Sequence, residues 1–250
     1  MVRRNNLYFA FLLGREDFAL QFKATRLGPA WLVLGSSLWI TSMALILAVV
    51  FKQPIHNYFP YLAAGMFCWM FTSNTLVESC ESLVSYKAEL LNFSHQPVFY
   101  IWRLNFKMLM TYSQYLVIVL ALCSFFGTLS KNSFILPLSV AIQFCIVFHM
   151  SYVLAGIGAY LRDVKHIVAL LCQVAPLLSP IVWRREQLGN YSWVAEFNPV
   201  YHYVEIVRAP IVDDYIPTTS FIICLAGSAI LVALSQVIRR NYIKNVVLVL

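Results

Sequence analysis

The chain has 250 residues, is 60% hydrophobic and only 12% charged, and carries a formal net charge of +7. Soluble domains carry about 25% charged residues, so this composition excludes an ordinary soluble protein and is typical of a protein embedded in a membrane. The basic excess does not require a nucleic-acid partner, because membrane topology can account for it.

Residues 14–28 predict an amphipathic helix that lies on the membrane surface. Apolar and basic side chains are mixed along this segment, as they are in interfacial helices. A Gly-Pro pair then ends the predicted helix and turns the chain into the bilayer. An ordinary basic stretch beside the membrane is the alternative. The residues assigned to the interface helix are Phe18, Phe22, Arg26, Gly28 and Pro29.

Six long apolar segments follow. An apolar bilayer core about 30 Å thick requires roughly 20 helical residues. Because backbone polar groups in lipid must bond within the segment, each is predicted to be a helix; the residues do not alternate as in a barrel strand. The chain is therefore predicted to be all-α, a single transmembrane domain over residues 1–250 with six spans. These spans are residues 31–51, 58–77, 108–130, 134–158, 167–183 and 215–238.

The distribution of charge predicts the orientation of these spans. Six spans place both termini on one side of the membrane. If that side is the cytoplasm, it receives thirteen of the eighteen Lys and Arg residues and six of the eleven acidic residues. The net charge is then +7 inside and zero outside, which satisfies the positive-inside rule. Both termini are therefore predicted to be cytoplasmic.

The predicted internal connection at residues 85–100 is unusually apolar. Leu90, Leu91 and Phe93 follow a polar start, and Pro97 is followed by further aromatic residues. A cytoplasmic segment with so many large apolar groups is predicted to dock on a partner protein. Packing against the protein's own helices is the alternative.

The predicted external segment at residues 186–205 is too apolar for a free loop and too interrupted to span the bilayer. Short re-entrant helices fit this pattern, because irregular backbone at membrane depth must be buried in protein or line a cavity. The preceding span is short and contains Pro176 and Pro180, which free backbone carbonyls within it.

Aromatic residues make up 15% of the chain, and several lie inside or near the ends of the predicted spans. Aromatic faces stack on sugar rings, so these side chains would suit a conduit for a glycan. The alternative is the ordinary belt of Trp and Tyr at membrane interfaces, together with helix packing. The candidate conduit residues are Trp39, Phe67, Trp69, Phe71, Tyr112 and Tyr115.

The sequence contains no GxxxxGK[ST] phosphate loop, no HExxH and no GxSxG. ATP hydrolysis by the phosphate-loop route would therefore need another subunit. His149 lies within the fourth apolar run, where an ionisable residue is a functional candidate, although a neutral hydrogen-bonded histidine is an equal alternative.

Four short motifs, in their order and spacing, resemble the membrane subunits of polysaccharide ABC exporters, the ABC-2 type permeases of O-antigen, capsule and teichoic-acid export. The resemblance covers about residues 14–240. The motifs are LGPAW at 27–31; LLNF at 90–93, leading to Pro97; Arg162-Asp163-Val164; and Leu178-Ser179-Pro180, followed by Asn198-Pro199 with Glu205 and Arg208.

The resemblance implies a homodimer that pairs with two ATP-binding subunits in a bacterial inner membrane. Those subunits would bind ATP and Mg, and this chain would hold no cofactor, no metal and no catalytic residue. A polysaccharide, often linked to a polyprenyl pyrophosphate lipid, would pass through a channel between the two copies. The implied ATPase-coupling residues are Lys87, Glu89, Leu90, Leu91, Asn92, Phe93, Pro97, Arg162 and Asp163. The implied external gate comprises Trp193, Phe197, Asn198, Pro199, Glu205 and Arg208.

Two other functions stay open. An ABC-2 permease could export a small amphipathic drug or lipid instead of a glycan. A membrane enzyme acting on a lipid-linked glycan would need acidic or imidazole groups at an aqueous cavity. The external candidates for that role are Glu186, Glu196, His202, Glu205, Asp213 and Asp214.

Overall fold

The computed structural model describes residues 2–93, 95–241, 243 and 246, and the side chains of 2–6 and 241 are not part of that description. Ser94, in the predicted coupling segment, therefore lies outside it. So do the side chains of Arg3 and Arg4 and the whole of Lys244, which contribute to the predicted internal positive charge.

The described residues form ten α-helices and contain no strand, which confirms the all-α prediction. Short 3-10 helices at Lys131–Ile135 and Arg185–Tyr191 and a π-helical turn at Ala209–Asp213 connect some of them. The α-helices are α1 Val2–Leu20, α2 Ala30–Val50, α3 Ile55–Ser85, α4 Lys87–Asn92, α5 Pro97–Phe125, α6 Leu136–Gly158, α7 Val164–Leu178, α8 Trp193–Glu196, α9 Pro199–Arg208 and α10 Thr218–Asn241.

Helix α3 is the centre of the fold, because α2, α5, α6, α7 and α9 all pack against it. Its hydroxyl side chains are buried and bond to carbonyls of the preceding turn, as Thr72 does to Cys68 at 3.1 Å and Ser79 to Thr75 at 2.5 Å. Small residues allow the closest crossings. A Cβ at Gly158 of α6 would lie only 2.0 Å from the carbonyl oxygen of Cys80, so this crossing requires glycine.

Four helical segments in the described part of the chain are long and apolar enough to cross a membrane: Ala30–Val50, Pro97–Phe125, Lys131–Gly158 and Thr218–Arg240. They correspond to four of the six predicted spans. The other two predictions fall on α3, which is long but rich in Ser, Thr and Tyr, and on α7, which is apolar but has only 15 residues. Since α3 is surrounded by other helices, it can be less apolar than a lipid-facing span. The six-span count stays a prediction.

The predicted bounds of the interface helix were wrong. Helix α1 begins at Val2 and ends at Leu20, and turns occupy residues 21–29. Gly28 has a φ of 57°, a left-handed conformation that favours glycine at this turn. The reason for the difference is packing: α1 lies along α5, where a Cβ at Gly14 would come within 2.6 Å of the carbonyl oxygen of Arg103. Contact with α5 therefore supports a helix well before residue 14.

The predicted third span also began too late, because α5 is helical from Pro97 onwards. Proline suits the first turn of a helix, where its missing N–H has no partner to lose. The segment from 97 to 107 is therefore a helical extension of the span and not part of a loop. Helix α4 and the short link to Pro97 are all that remains of the predicted internal connection.

Candidate functional site

The predicted coupling segment contains a six-residue helix, α4, whose two sides differ. Leu90 lies on the buried side of α4, in an apolar cluster that includes Phe99 and Tyr100. Leu91 and Phe93 point the other way and are 52% and 60% exposed. The segment therefore packs on its own chain with one side and leaves a small apolar surface on the other. Lys87 and Asn92 are exposed on α4, and Pro97 is the first residue of α5.

An arginine ties this segment to the rest of the chain. Arg103 of α5 bonds to both carboxylate oxygens of Asp17 in α1, at 2.6 and 2.7 Å. Its third nitrogen donates to Glu89 of α4 at 2.6 Å. The guanidinium also lies over the ring of Tyr86, 4.5 Å from its centre, and the Tyr86 hydroxyl donates to Asp17 at 3.0 Å. We call Asp17, Tyr86, Glu89 and Arg103 the Arg103 cluster.

The Arg103 cluster joins four pieces of the chain through one side chain. Arg103 is 8% exposed, whereas the Glu89 side chain is 39% exposed. Burial, together with the nearby Asp17 carboxylate, raises the pKa of Tyr86, which keeps the hydroxyl protonated as a hydrogen-bond donor. A displacement of α4 would pull on α1 and α5 through these bonds. Of the four cluster residues, sequence reasoning had assigned only Glu89 to coupling. The signal that it did not use was an arginine near the start of a long apolar helix.

The second predicted coupling element is the turn between α6 and α7. Arg162 and Asp163 are both exposed there, and Asp163 precedes the first residue of α7. Lys165, two residues further, bonds to Glu81 of α3 at 2.6 Å. This pair holds the turn beside the same end of α3 that carries Tyr86. The turn and α4 thus lie on one side of the molecule, although their role in coupling stays a prediction.

A second arginine cluster lies at the opposite end of α3. Arg208 of α9 pairs with Glu205 of the same helix and donates to the carbonyl oxygen of Pro180 at 2.7 Å. Its guanidinium lies 4.0 Å from the centre of the Tyr61 ring, and that of Arg184 lies 4.1 Å from the same centre. We call Tyr61, Arg184, Glu205, Arg208, Asp213 and Tyr215 the Arg208 cluster.

The Arg208 cluster is more deeply buried than the Arg103 cluster. Arg208 is 2% exposed and Glu205 is 4% exposed. The Tyr215 hydroxyl donates to Glu205, and Arg184 pairs with Asp213 at 3.4 Å. Burial raises the pKa of Asp213 above its usual range. The Arg208 cluster lines a small polar cavity, and Arg185 and Glu186 also line it. The cavity thus has three acidic and three basic side chains, and their charges balance.

The broken backbone after α7 explains why side chains gather here. Helix α7 ends at Leu178, two residues before Pro180, so the carbonyls of residues 180, 182 and 183 lie in irregular backbone and need partners other than the N–H groups of a helix. Hydroxyls of α3 supply them: Tyr58 donates to Val182 at 2.5 Å, and Tyr61 donates to Trp183 at 3.1 Å. The predicted break at Pro180 is therefore held firmly against α3.

The predicted gate residues take two different positions. Trp193 and Phe197 are 55% and 80% exposed and pack edge to face, with ring centres 6.0 Å apart. Asn198 caps α9 by accepting from the Val200 N–H at 2.9 Å, and Pro199 is the first residue of that helix. Short helices thus occupy the predicted region 186–205, while their re-entrant placement stays a prediction.

Five of the six predicted conduit residues are buried in the core of the chain. Phe71 stacks on Tyr112 at 4.2 Å, and Phe67 packs on Tyr115 at 4.9 Å. Trp69 donates to the carbonyl oxygen of Cys172 at 2.9 Å. In this conformation these rings are packing groups and offer no face to a glycan. Trp39 differs, because it is 52% exposed on α2. The conduit role itself stays a prediction.

The remaining predicted residues lie at the end of α1 and in the turns that connect it to α2. Phe18 and Phe22 pack edge to face at 5.4 Å, Arg26 is exposed, and Gly28 and Pro29 are partly buried. His149 bonds to Ser235 at 2.9 Å, which fits a packing role. No group of three or more metal-binding side chains occurs among the residues that the structure describes.

Comparison with known proteins gives two kinds of match. The profile of the family described as ABC-2 type transporter matches residues 10–212. Two relatives from Klebsiella pneumoniae, each named O-antigen export system permease protein RfbA, are 22% identical over 193 residues and 20% identical over 231 residues. The first match covers 76% of this chain and 74% of that relative; the second covers 88% and 89%. A relative of the same name from Myxococcus xanthus is 23% identical over 250 residues and covers 92% of this chain and 91% of its own.

Proposed function

Because the chain belongs to the ABC-2 type transporter family, and is thus a transporter membrane subunit and not itself an enzyme, we propose that it exports a polysaccharide. The cargo would be O-antigen or capsule, carried on a polyprenyl lipid. The three relatives named as O-antigen export permeases support this cargo, since they match over most of their length. The multi-pass chain would lie in a bacterial inner membrane with both termini in the cytoplasm.

The active exporter would contain two copies of this chain and two ATP-binding subunits, which would hold ATP and Mg. Helix α2 supports a second copy, because only Ile40, Ala44 and Ala48 of its 21 residues are buried. A channel for the glycan would then form between the copies. On the cytoplasmic side, the exposed Leu91 of α4 and Phe93, the residue after it, would offer an apolar contact for the ATP-binding subunit.

The Arg103 cluster is the observation that carries the proposal of an ATP-driven pump. A pump must convert motion of a separate ATPase into motion of its membrane helices. Helix α4 is six residues long, exposed on one side, and bonded through Glu89 and Arg103 to α1 and α5. Force applied to α4 would therefore reach a membrane-spanning helix through short, charge-assisted hydrogen bonds, which are the strong kind.

Export of a small amphipathic molecule is the second candidate. An apolar cavity of about 350 Å³ between α3, α6, α9 and α10 favours it, with Trp69, Tyr203 and Leu231 among the lining residues. Cavities of this size and character suit small apolar ligands. The enzyme alternative has less support, because His202 bonds with both ring nitrogens, to Ser220 and to the Glu196 carbonyl.

The test is deletion of the gene in its own host, followed by complementation. We expect the deletion strain to lose surface polysaccharide and to accumulate lipid-linked glycan in the cytoplasm. The wild-type chain should restore export, and an Arg103→Gln chain should not. Unchanged surface polysaccharide in the deletion strain would contradict the proposal. Sensitivity to amphipathic drugs with normal polysaccharide would support the second candidate.

A further inference from the structure

A cavity of about 340 Å³ with both polar and apolar lining residues lies between α2, α3, α5 and α7. The cavity lies in the same half of the molecule as the Arg103 cluster. Gln173 lies nine residues after the start of α7, which is about 14 Å along the helix axis. The cavity therefore extends from near the proposed cytoplasmic surface well into the apolar part of the molecule.

Two facing rows of side chains form this cavity and its continuation. On α3, Asn74, Glu78 and Glu81 are all exposed, and their spacing of four and three residues places them on one face. On α7, Lys165 and Gln173 are eight residues apart and share a face. The Lys165–Glu81 bond of 2.6 Å shows that the two rows face each other. We call this feature the polar groove.

Exposed polar groups at this depth need a polar environment. An amide or carboxylate that faced lipid would lose its hydrogen bonds to water and destabilise the protein. Asn74 and Gln173 are both exposed, and Ser73 and Thr111 add hydroxyls to the lining. The polar groove therefore contains water or a polar ligand when the chain is in a membrane.

The charges of the cavity indicate the kind of ligand. Glu78 bonds to Lys107 of α5 at 2.6 Å, so the acidic and the basic group neutralise each other. The other polar lining groups are neutral amides and hydroxyls. An amide donates through its NH₂ and accepts through its oxygen, which matches neighbouring hydroxyls of a sugar. Leu32, Val77 and Met108 add apolar surface, which suits the C–H faces of sugar rings. The lining thus suits a neutral, hydroxyl-rich ligand with apolar ring faces better than an anion.

We propose that the polar groove binds the glycan during export, and that Asn74 and Gln173 hydrogen-bond its sugar hydroxyls. This inference rests on the proposed function and refines it. It places the cytoplasmic part of the glycan path along amides of α3 and α7. The rings of Phe71 and Tyr112 are buried and do not line this cavity, so they would not touch the sugar.

Photo-crosslinking in cells tests the contact directly. A photoreactive benzoylphenylalanine is introduced in place of Gln173, with the same residue in place of Ser113 as a control, because Ser113 is exposed on another part of α5. After illumination of cells that export glycan, we expect a ladder of glycan adducts at 173 and none at 113. Adducts at 173 to lipid alone, or to a second copy of the chain alone, would overturn the proposal.

A double variant tests the contribution of the two amides. Asn74→Leu with Gln173→Leu should reduce the rate of export about tenfold, the effect expected for two lost hydrogen bonds. Ser113→Leu makes a similar polar-to-apolar change away from the polar groove and should export at the wild-type rate. Export by the double variant at the wild-type rate would overturn the proposal.

The outcomes separate this inference from the proposed function. If the wild-type chain fails to restore any polysaccharide in the deletion strain, the proposed function is wrong. If it restores export while position 173 yields no glycan adducts, only the polar groove assignment is wrong. Co-purification of each variant with the ATP-binding subunit shows that the chain has folded and assembled. A crosslinking variant that still exports glycan shows that the glycan path is intact.

Discussion

The two ends of α3 carry similar arginine clusters that are built in different ways. At each end a guanidinium lies over a tyrosine ring and pairs with carboxylates: Arg103 over Tyr86, and Arg208 over Tyr61. Arg103 draws its acidic partners from two other helices: Asp17 of α1, 86 residues away in the sequence, and Glu89 of α4, 14 residues away. Arg208 takes its acidic partner, Glu205, from its own helix, three residues earlier, and its second contact is the Pro180 carbonyl.

This difference indicates which end of α3 can transmit motion. Arg208 and Glu205 are buried, and Arg208 bonds to the backbone carbonyl of Pro180, so their bonds hold a fixed shape. The Arg103 cluster connects separate helices, and its Glu89 side chain reaches solvent. Motion of α4 can therefore be passed on through Arg103, whereas the region around Arg208 would move as one body with α3.

The largest expected effect is on the stability of the Arg208 cluster. Arg208→Met would leave Glu205 buried without its cation and should lower the free energy of unfolding by about 3–5 kcal/mol. Thermal unfolding of the purified chain, followed by size-exclusion chromatography, measures this. The double variant Glu205→Gln with Arg208→Met removes both charges and should recover much of the loss. A single variant as stable as the wild type would show that this ion pair does not hold the region together.

A smaller loss of stability but a larger loss of function is expected for the Arg103 cluster. Arg103→Gln should lower the free energy of unfolding by about 1–3 kcal/mol, because Asp17 and Glu89 lose a charged donor but Glu89 keeps contact with water. In complexes reconstituted with the ATP-binding subunit, we expect ATP hydrolysis to continue while glycan exported per ATP falls.

Arg103→Lys is the matched control for that experiment. Lysine keeps the charge but cannot form the two-pronged bond to Asp17 while also reaching Glu89, so export per ATP should recover only in part. If the Gln variant exports as much glycan per ATP as the wild type, α4 does not act through this arginine.

The smallest effect is expected at an exposed ion pair beside the Arg208 cluster. Arg185 lies 3.3 Å from Glu186 and 3.6 Å from Glu196, and all three side chains are largely exposed. Arg185→Ala should change the free energy of unfolding by at most about 1 kcal/mol, and added salt should reduce the change further. Unfolding midpoints in low and high salt measure it. If Arg185→Ala lowered the free energy of unfolding as much as Arg208→Met, burial would not be what makes an ion pair in this region important for stability.

Much of the helical framework could be predicted from the sequence, because charge-free apolar runs are long and their charged ends are clear. The spans predicted at 31–51 and 134–158 nearly coincide with α2 and α6. The bounds of α1 could not be predicted in this way, since they depend on the approach of Gly14 to α5. The start of α5 was missed because Pro97 and the aromatic residues after it were interpreted as part of the internal connection.

The candidate sites were predictable only in part. Glu205 and Arg208 were assigned to the external gate by the family resemblance, but their pairing on one helix turn was not predicted, although a three-residue spacing is compatible with it. The partnership of Arg103 with Asp17 joins residues 86 positions apart, and no local pattern indicates it. The aromatic conduit was inferred from residue type alone, which does not say whether Phe71 faces a channel or the core.

The sequence by itself determined that this protein is helical, apolar and asymmetric in charge, because these properties follow from composition and from the spacing of charges along the chain. Only the tertiary structure decided which polar side chains meet. It placed α3 at the centre, with Arg103 and Arg208 at its two ends, and left Asn74 and Gln173 exposed at a shared cavity. The physical reason is that pairing and burial depend on how helices cross, and those crossings are set by close contacts such as the one at Gly158.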